Sequence, residues 1–347
     1  MKNISLAHGG GGEEMNELLT KLFKIFDNEI LNANNDAAIL GNLALSTDSF
    51  VLSPIFLDEE VNIGKLALST DSFVLSPIFL DEEVNIGKLC VCGSINDVLM
   101  VGAKPKYLSL GLILEEGFEL EKLERILKSI KEECEKCGVM LVCGDTKVVP
   151  KGKADEIYIN TTALGEIISK KESKNIKAGL SILLSGDIGR HGASVLIKRN
   201  ELEANVKSDC KALDKEVLEL LEKDIKVVAM RDATRGGLSA VLNEWAKQSG
   251  NDLLIFEEKI IVQDEVLGLC ELFGYEAYEL ANEGTFILCV EKEDGLKALE
   301  ILKKYNVNAS IIGEVLEEKK ARVILQNAYG AKRFLESPKG ELLPRIC

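Results

Sequence analysis

The stretch KVVAMRDATRGGLSAVLNEWA, residues 226–246, runs from an apolar strand pattern, KVVAM, through two glycines into a helix pattern, GLSAVLNEWA. A strand, a glycine turn and a helix in that order form the building unit of α/β and α+β proteins. Gly236 and Gly237 let the backbone approach a ligand and leave helix N–H groups pointing outward. Arg231 and Arg235 suit bidentate contact with phosphate oxygens. With Asp232, Thr234 and Gly236 they form a candidate nucleotide-binding set. The spacing is neither GxxxxGK[ST] nor GxGxxG, so the turn alone names no fold.

Outward from this turn the chain reads as two halves. Apolar strands at about 36–40, 43–52, 106–114, 139–143 and 156–165 alternate with helical patterns in the first half. Leu120, Leu123, Ile126, Leu127, Ile130 and Cys134 follow the spacing of one buried helix face. A polar linker, ISKKESKNIKAG at 168–179, precedes the strand LSILLSG and the glycine turn DIGRHGAS. The expected division is residues 1–167, 168–327 and a mobile tail, 328–347. An α/β or α+β class follows for both halves.

Residues 43–65, LALSTDSFVLSPIFLDEEVNIGK, recur without a difference at 66–88. Diverged structural repeats tolerate substitution between units, so identity over the whole segment reads as a duplication rather than a solenoid. Asp48 and its double Asp71 have the same neighbours. The Gly41-Asn42 turn favours the first copy as a hairpin partner of DAAIL, whereas the second copy runs directly into the following helix.

A chain of 347 residues with 57 acidic against 42 basic side chains carries a net charge of -15. That balance argues against nucleic acid and against an anionic membrane surface. No apolar run of the length of a membrane span and no signal-peptide pattern is present, so a cytoplasmic protein with reduced thiols is expected. Of nine cysteines, Cys90, Cys92, Cys143, Cys270 and Cys289 read as small core residues. Cys134 and Cys137 make one CxxC, short of the four ligands of a zinc site.

Asp36, Asp48 or Asp71, Asp97 and Asp145 recur in DAAIL, STDSF, GSINDVLMVGA and CGDTKVV. Each alone suits a cap or a turn; together they suit a hard divalent ion such as Mg2+, with Asp48, Asp71, Asp97 and Asp145 near the nucleotide it bridges. STD and GDT are read as strand ends. Lys147, inside the apolar run around VCGDTKVV, is a partly desolvated base candidate. Glu283, in LANEGTF, is a second. His8 and His191 make no zinc site. Cys347 is a thiol that can enter a site and carry a bound group.

These residues resemble the HypE family of carbamoyl dehydratases, within the superfamily of aminoimidazole-ribotide and selenophosphate synthetases. AHGGGG at 7–12, DAAIL, STDSF, GSINDVLMVGAKP at 93–105, YLSLGLILEEGF at 107–118, CGDTKVVPKGKAD at 143–155, RDATRGG, ANEG and PRIC carry the resemblance across the chain. It implies an aminoimidazole-ribotide-synthetase-like fold: an N-terminal domain whose sheet forms a barrel across a homodimer, a C-terminal α+β domain, and ATP in the cleft between them. It also implies a reaction. A HypF-like carbamoyltransferase loads Cys347, and ATP with Mg2+ drives dehydration of the thiocarboxamide to a thiocyanate. Lys147 and Glu283 do the acid–base work, and the cyanide passes to iron on a HypC–HypD complex. Rival readings are a synthetase or kinase of the same fold on a free small molecule, or a non-catalytic thiol carrier. A selenophosphate synthetase would have a reactive residue near the N-terminus, whereas the first cysteine here is Cys90.

Overall fold

The computed structural model describes residues 3–5, 18, 21–22, 24–26, 28, 38–40, 43–45, 66–74, 85–223 and 225–338. The chain divides into two compact units. Of the described residues, one comprises those up to Val98 with Pro105–Glu166; the other comprises Leu99–Lys104 and those from Ile167 onward. Leu99–Lys104 therefore groups with the second unit, although the sequence placed it in the first. The Ile168 and Ser169 N–H groups both donate to the Gly102 carbonyl, at 3.0 and 3.1 Å, and tie that turn to the start of the second unit.

In the first unit, β1 (Ala38–Leu40) and β2 (Leu43–Leu45) pair antiparallel, as the turn between them suggested. A separate four-stranded sheet has the order β3-β6-β4-β5, from β3 (Leu66–Phe73), β4 (Ala103–Glu115), β5 (Met140–Val149) and β6 (Ile157–Ile167). Helix α1 spans Ile86–Met100 and α2 spans Leu120–Cys137. The face of α2 read from the sequence, Leu120 through Cys134, is the face that is buried. Its C-cap, Gly138 at φ 65°, closes the helix with N–H bonds to the Cys134 and Glu135 carbonyls. α1 is buried nearly all round, which lets it serve as the packing surface for β3. Gly87 permits close approach to α2, since a Cβ there would lie 2.5 Å from the Ile126 carbonyl oxygen.

The second copy of the duplicated segment supplies β3 and leads into α1. Of the first copy only Leu43–Leu45 falls among the described residues. GDT does not end a strand as expected: β5 continues through Val149, because its parallel pairing with β4 extends to Glu115 opposite Val149. Asp71 likewise lies within β3, paired antiparallel along its whole length with β6.

The second unit holds a seven-stranded sheet of order β13-β12-β9-β11-β7-β10-β8 among the described residues. In chain order its elements are β7 (Ser181–Leu184), α3 (Arg190–Arg199), α4 (Asp214–Glu222), β8 (Val227–Asp232), α5 (Gly237–Ser249), β9 (Leu253–Phe256), α6 (Asp264–Phe273), β10 (Phe286–Val290), α7 (Gly295–Tyr305), β11 (Ser310–Val315), β12 (Val323–Gln326) and β13 (Lys332–Phe334). Only β9 with β12 pairs parallel; the others pair antiparallel, the α+β alternative of the sequence reading. The core packs α5, through Leu238, Val241, Leu242 and Trp245, against Ile182, Leu184, Ile255 and Ile287 of the sheet.

Of the tail expected over residues 328–347, the described part, 328–338, is docked on the second unit rather than loose. β13 pairs with β12, Leu335 is buried, and the Asn243 amide and Ser239 hydroxyl donate to the Leu335 and Glu336 carbonyls at 3.1 and 2.7 Å. Composition hid this because a short edge hairpin carries little periodicity of its own.

Candidate active site

In the first unit the structure brings two of the expected carboxylates together. On β3 the period-2 face of Ser69, Asp71 and Phe73 lies against α1. The Ser94 hydroxyl donates to Asp71 Oδ2 at 3.0 Å, and the Ser69 hydroxyl donates to Asp97 Oδ2 at 2.8 Å. Ser94 and Asp97 are three residues apart on one helical face, and Ser69 and Asp71 are two apart on one strand face. The two elements therefore exchange one serine and one aspartate each. Ser94 also lies 2.8 Å from the Thr161 hydroxyl, and Thr161 Oγ1 donates to the Cys90 carbonyl at 2.9 Å. Gly93 makes the approach possible: a Cβ there would sit 2.8 Å from the Phe73 ring. Asp71 and Asp97 are half-buried, and one carboxylate oxygen of each accepts a serine hydroxyl.

Asp145 and Lys147 sit elsewhere on the same sheet. They share one face of β5, opposite Gly111 and Ile113 of β4, and both are half-buried. β5 and β3 are the two outer strands, so three interstrand spacings of about 4.8 Å separate them along the sheet. One chain thus presents a carboxylate pair at one sheet edge and an Asp–Lys pair at the other. Asp36, Asp48 and Cys347 lie outside the described residues.

Among the described residues no group of three or more His, Cys, Asp or Glu side chains is gathered to hold a metal. Mg2+ does not require one. It commonly takes one or two carboxylates and completes its shell with phosphate oxygens and water. The Asp71–Asp97 pair, all hard oxygen and half-open, fits that ion.

In the second unit three glycine turns converge, and Asn282 joins them. Its Oδ1 accepts the Gly189 N–H at 2.6 Å, and its Nδ2 donates to the Ala233 and Leu280 carbonyls at 2.9 and 3.0 Å. The Ala233 N–H donates to Thr285 O, and the Asn282 N–H donates back to Ala233 O. RDATRGG is thereby sewn to ANEG. Gly237, at φ 58°, is glycine for that reason: a Cβ would lie 2.5 Å from the Leu280 carbonyl oxygen and 2.6 Å from that of Tyr278. Its freedom serves chain-to-chain packing, not the ligand approach expected from the sequence. Gly236 caps α5 at φ 72°.

The remaining members of that motif divide by exposure. Arg231 is exposed and pairs with Glu244 at 3.4 Å, an ion pair both of whose side chains face solvent. Arg235 is exposed, Thr234 half-buried and Asp232 buried opposite Phe286. Glu283 is buried rather than displayed, with 4% of its surface accessible. His191 is fully buried, and burial alone pushes its pKa down to about 3, so it is neutral at ordinary pH. Buried Asp187 forms an ion pair with Arg190, Nε lying 2.7 Å from Oδ2, and accepts hydrogen bonds from Arg190 Nη2 at 3.4 Å and Gln263 Nε2 at 3.0 Å. Cys134 and Cys289 are buried thiols, and burial pushes Cys134 up to about 12, so both behave as core residues.

Sequence reasoning missed Ser69, Ser94, Thr161, Asp187, Asp209 and Asn282. Ser94 had a signal, a hydroxyl one turn from Asp97 on a helix. Asp209 had none, because its partners are 74 and 75 residues away.

Two family models match the chain: AIR synthase related protein, N-terminal domain, over residues 34–167, and the C-terminal domain of the same family over 177–326. The carbamoyl dehydratase HypE of Escherichia coli K12 is 40% identical over 363 residues, covering all of both chains. The chain belongs to the HypE family of carbamoyl dehydratases. Among solved structures, the hydrogenase maturation protein HypE in complex with ATP is similar over 99% of each chain, with 36% identity and a TM-score of 0.88. HypE in a HypE–HypF complex is similar over 94% of this chain and all of that one, with 38% identity and a TM-score of 0.76. Among the described residues of this HypE family member no helix is long and apolar enough to cross a membrane.

Proposed function

We propose that this chain carries out ATP-dependent dehydration of a carbamoyl group held on the Cys347 thiol, forming a thiocyanate for hydrogenase maturation. The observation that carries the reading is the full-length identity of 40% to a carbamoyl dehydratase. The likeness to a HypE bound to ATP supports the nucleotide, and the likeness to HypE in a complex with HypF supports that carbamoyltransferase as the donor.

The chemistry sets what the residues must do. A primary amide does not lose water readily, because its oxygen is a poor leaving group. Transfer of the γ-phosphoryl group of ATP to that oxygen converts it to a phosphate ester of the imidic acid. The C–O bond then breaks, the oxygen leaves with phosphate, and the nitrogen gives up its two protons to form C≡N. Thiocarboxamide and ATP become thiocyanate, ADP and phosphate, with every atom accounted for. Lys147 and Glu283 are the proposed proton acceptors. Once it has taken a proton, Lys147 offers positive charge to the departing phosphate oxygens, for which an ammonium on a flexible stem is suited. Arg231, Asp232, Thr234, Arg235 and Gly236 are the proposed nucleotide contacts of the second unit, with Arg235 the exposed cation not tied in the Arg231–Glu244 pair. When bound, Mg2+ would be held by Asp71 and Asp97, with Asp36 and Asp145 as further proposed ligands, and would neutralise phosphate charge. Asp71 rather than Asp48 is assigned this role, because it is the copy whose carboxylate meets Ser94. The cyanide acceptor proposed is a HypC–HypD complex, and a homodimer the working assembly.

The test follows the amide oxygen. Protein carbamoylated at Cys347 with 18O in the carboxamide is mixed with ATP and magnesium. The labelled C-terminal peptide is expected to lose about 20 Da, one water's atoms with the heavy oxygen, while the label appears in inorganic phosphate. Label released into water, or turnover that persists in Cys347→Ser on a free substrate, would overturn the proposal.

A further inference from the structure

We infer that Asp209 is the positioning residue that fixes Glu283 for proton transfer, an inference that rests on the reaction proposed above. Glu283 lies in a turn between Asn282 and Gly284, and Gly284 alone would leave that turn free to rotate. Asp209 arrives from the irregular segment between α3 and α4 and removes that freedom. Its Oδ1 accepts the Glu283 N–H at 3.1 Å and its Oδ2 accepts the Gly284 N–H at 3.0 Å. The Lys211 N–H donates to the Glu283 carbonyl at 3.3 Å. The peptide groups on both sides of the Glu283 Cα are therefore held by residues 209–211. The fit leaves no slack, since a Cβ on Gly284 would lie 1.8 Å from the Asp209 carbonyl oxygen.

The clamp has its own support. Ser208 Oγ accepts the Cys210 N–H at 3.1 Å and lies 2.8 Å from His191 Nδ1. His191 is fully buried on α3, so it gives the 208–210 segment a rigid backing. Asp209 itself is buried. Burial raises its pKa, opposed by the N–H groups of Glu283 and Gly284 and by the Arg190 charge. A buried carboxylate is a costly way to close a turn. It is a suitable way to set a catalytic side chain, because a charged acceptor with two aligned donors tolerates little displacement.

The experiment uses the full chain carbamoylated at Cys347, with kcat counted per bound nucleotide and KM measured for ATP. In Asp209→Ala, kcat is expected to fall about 10- to 100-fold, as for a displaced catalytic group, while KM for ATP stays within about twofold. Asp209→Asn keeps one acceptor oxygen and is expected to fall between wild type and alanine. If the alanine variant does not fold, the asparagine variant and Asp209→Glu carry the test. A kcat per site equal to wild type in Asp209→Asn, with Glu283→Gln inactive, overturns the positioning role alone. Full activity of Glu283→Gln overturns the assignment of Glu283 as a base, and the positioning role with it. A merely structural Asp209 would lower thermal stability and the number of sites but leave kcat per site unchanged.

Discussion

Helix α5 provides an internal control for the claim that Gly237 is required by close packing rather than by a ligand. Gly237 starts the helix at φ 58° and Gly250 ends it at φ 74°. Alanine at either position adopts a left-handed backbone, which costs about 1–2 kcal/mol. At Gly250 the added methyl meets nothing within 4 Å, so Gly250→Ala should cost only that. At Gly237 the methyl would lie 2.5 and 2.6 Å from two carbonyl oxygens of the 278–280 turn. Those are backbone atoms in a turn held by Asn282, and they cannot rotate aside as a side-chain tip would. Overpacking of this kind adds about 1–3 kcal/mol, so Gly237→Ala should cost about 2–5 kcal/mol, summing the two terms. The sole tryptophan, Trp245, is buried in the same helix. Its fluorescence in a urea titration reports the second unit directly. Equal losses for the two variants, at unchanged urea dependence, would refute the packing argument.

Three further outcomes are expected. Asp71→Asn and Asp97→Asn should each raise the magnesium needed for half-maximal ATP turnover by about tenfold, in line with the loss of one ligand or its support. Asp48→Asn should leave it unchanged; a reversed result in a magnesium titration would reassign the duplicated segment. His191 makes stability pH-dependent in a defined direction. Its folded pKa is about 3 against an ordinary 6.5, so below that ordinary value the unfolded chain binds a proton that the native one refuses. Stability is full above about pH 6.5 and is lost on acidification, by up to about 1.4 kcal/mol per pH unit, down toward the folded pKa. His191→Asn should lose that slope in urea titrations at pH 4.5 to 7 (roughly the window in which the two states differ), and a variant with the wild-type slope would refute it. Asp252, buried, accepts the Lys320 and Arg322 N–H groups at 3.1 Å each and pairs with the Arg322 guanidinium. Asp252→Asn should cost about 2 kcal/mol, less than a wholly buried ion pair because Arg322 is partly exposed; a loss under about 0.5 kcal/mol, typical of a surface site, would sink the argument.

Periodicity settled what is local. The buried face of α2, the strand–turn–helix at 226–246 and the α/β or α+β class needed only neighbours within a turn or two. The motif set AHGGGG, GDTKVV, RDATRGG and PRIC likewise pointed to the family from residues close in sequence, and comparison with known proteins agrees. The register of the carboxylates was a different matter. Asp71 meets Ser94 and Asp97 meets Ser69 only because β3 packs on α1 with a shared face. Asp145 parts from them because strand order puts β5 at the far edge of the sheet. Nothing in the identical copies at 43–65 and 66–88 distinguishes Asp48 from Asp71; pairing with β6 does. In the same way Asp209 reaches Glu283 across 74 residues, a distance over which no pattern in a single sequence carries information. What this sequence determined by itself is the set of chemical groups and the local elements that carry them. Which groups share a face, and which glycine serves packing rather than a ligand, was decided by long-range hydrogen bonding and steric fit, which exist only in the folded chain.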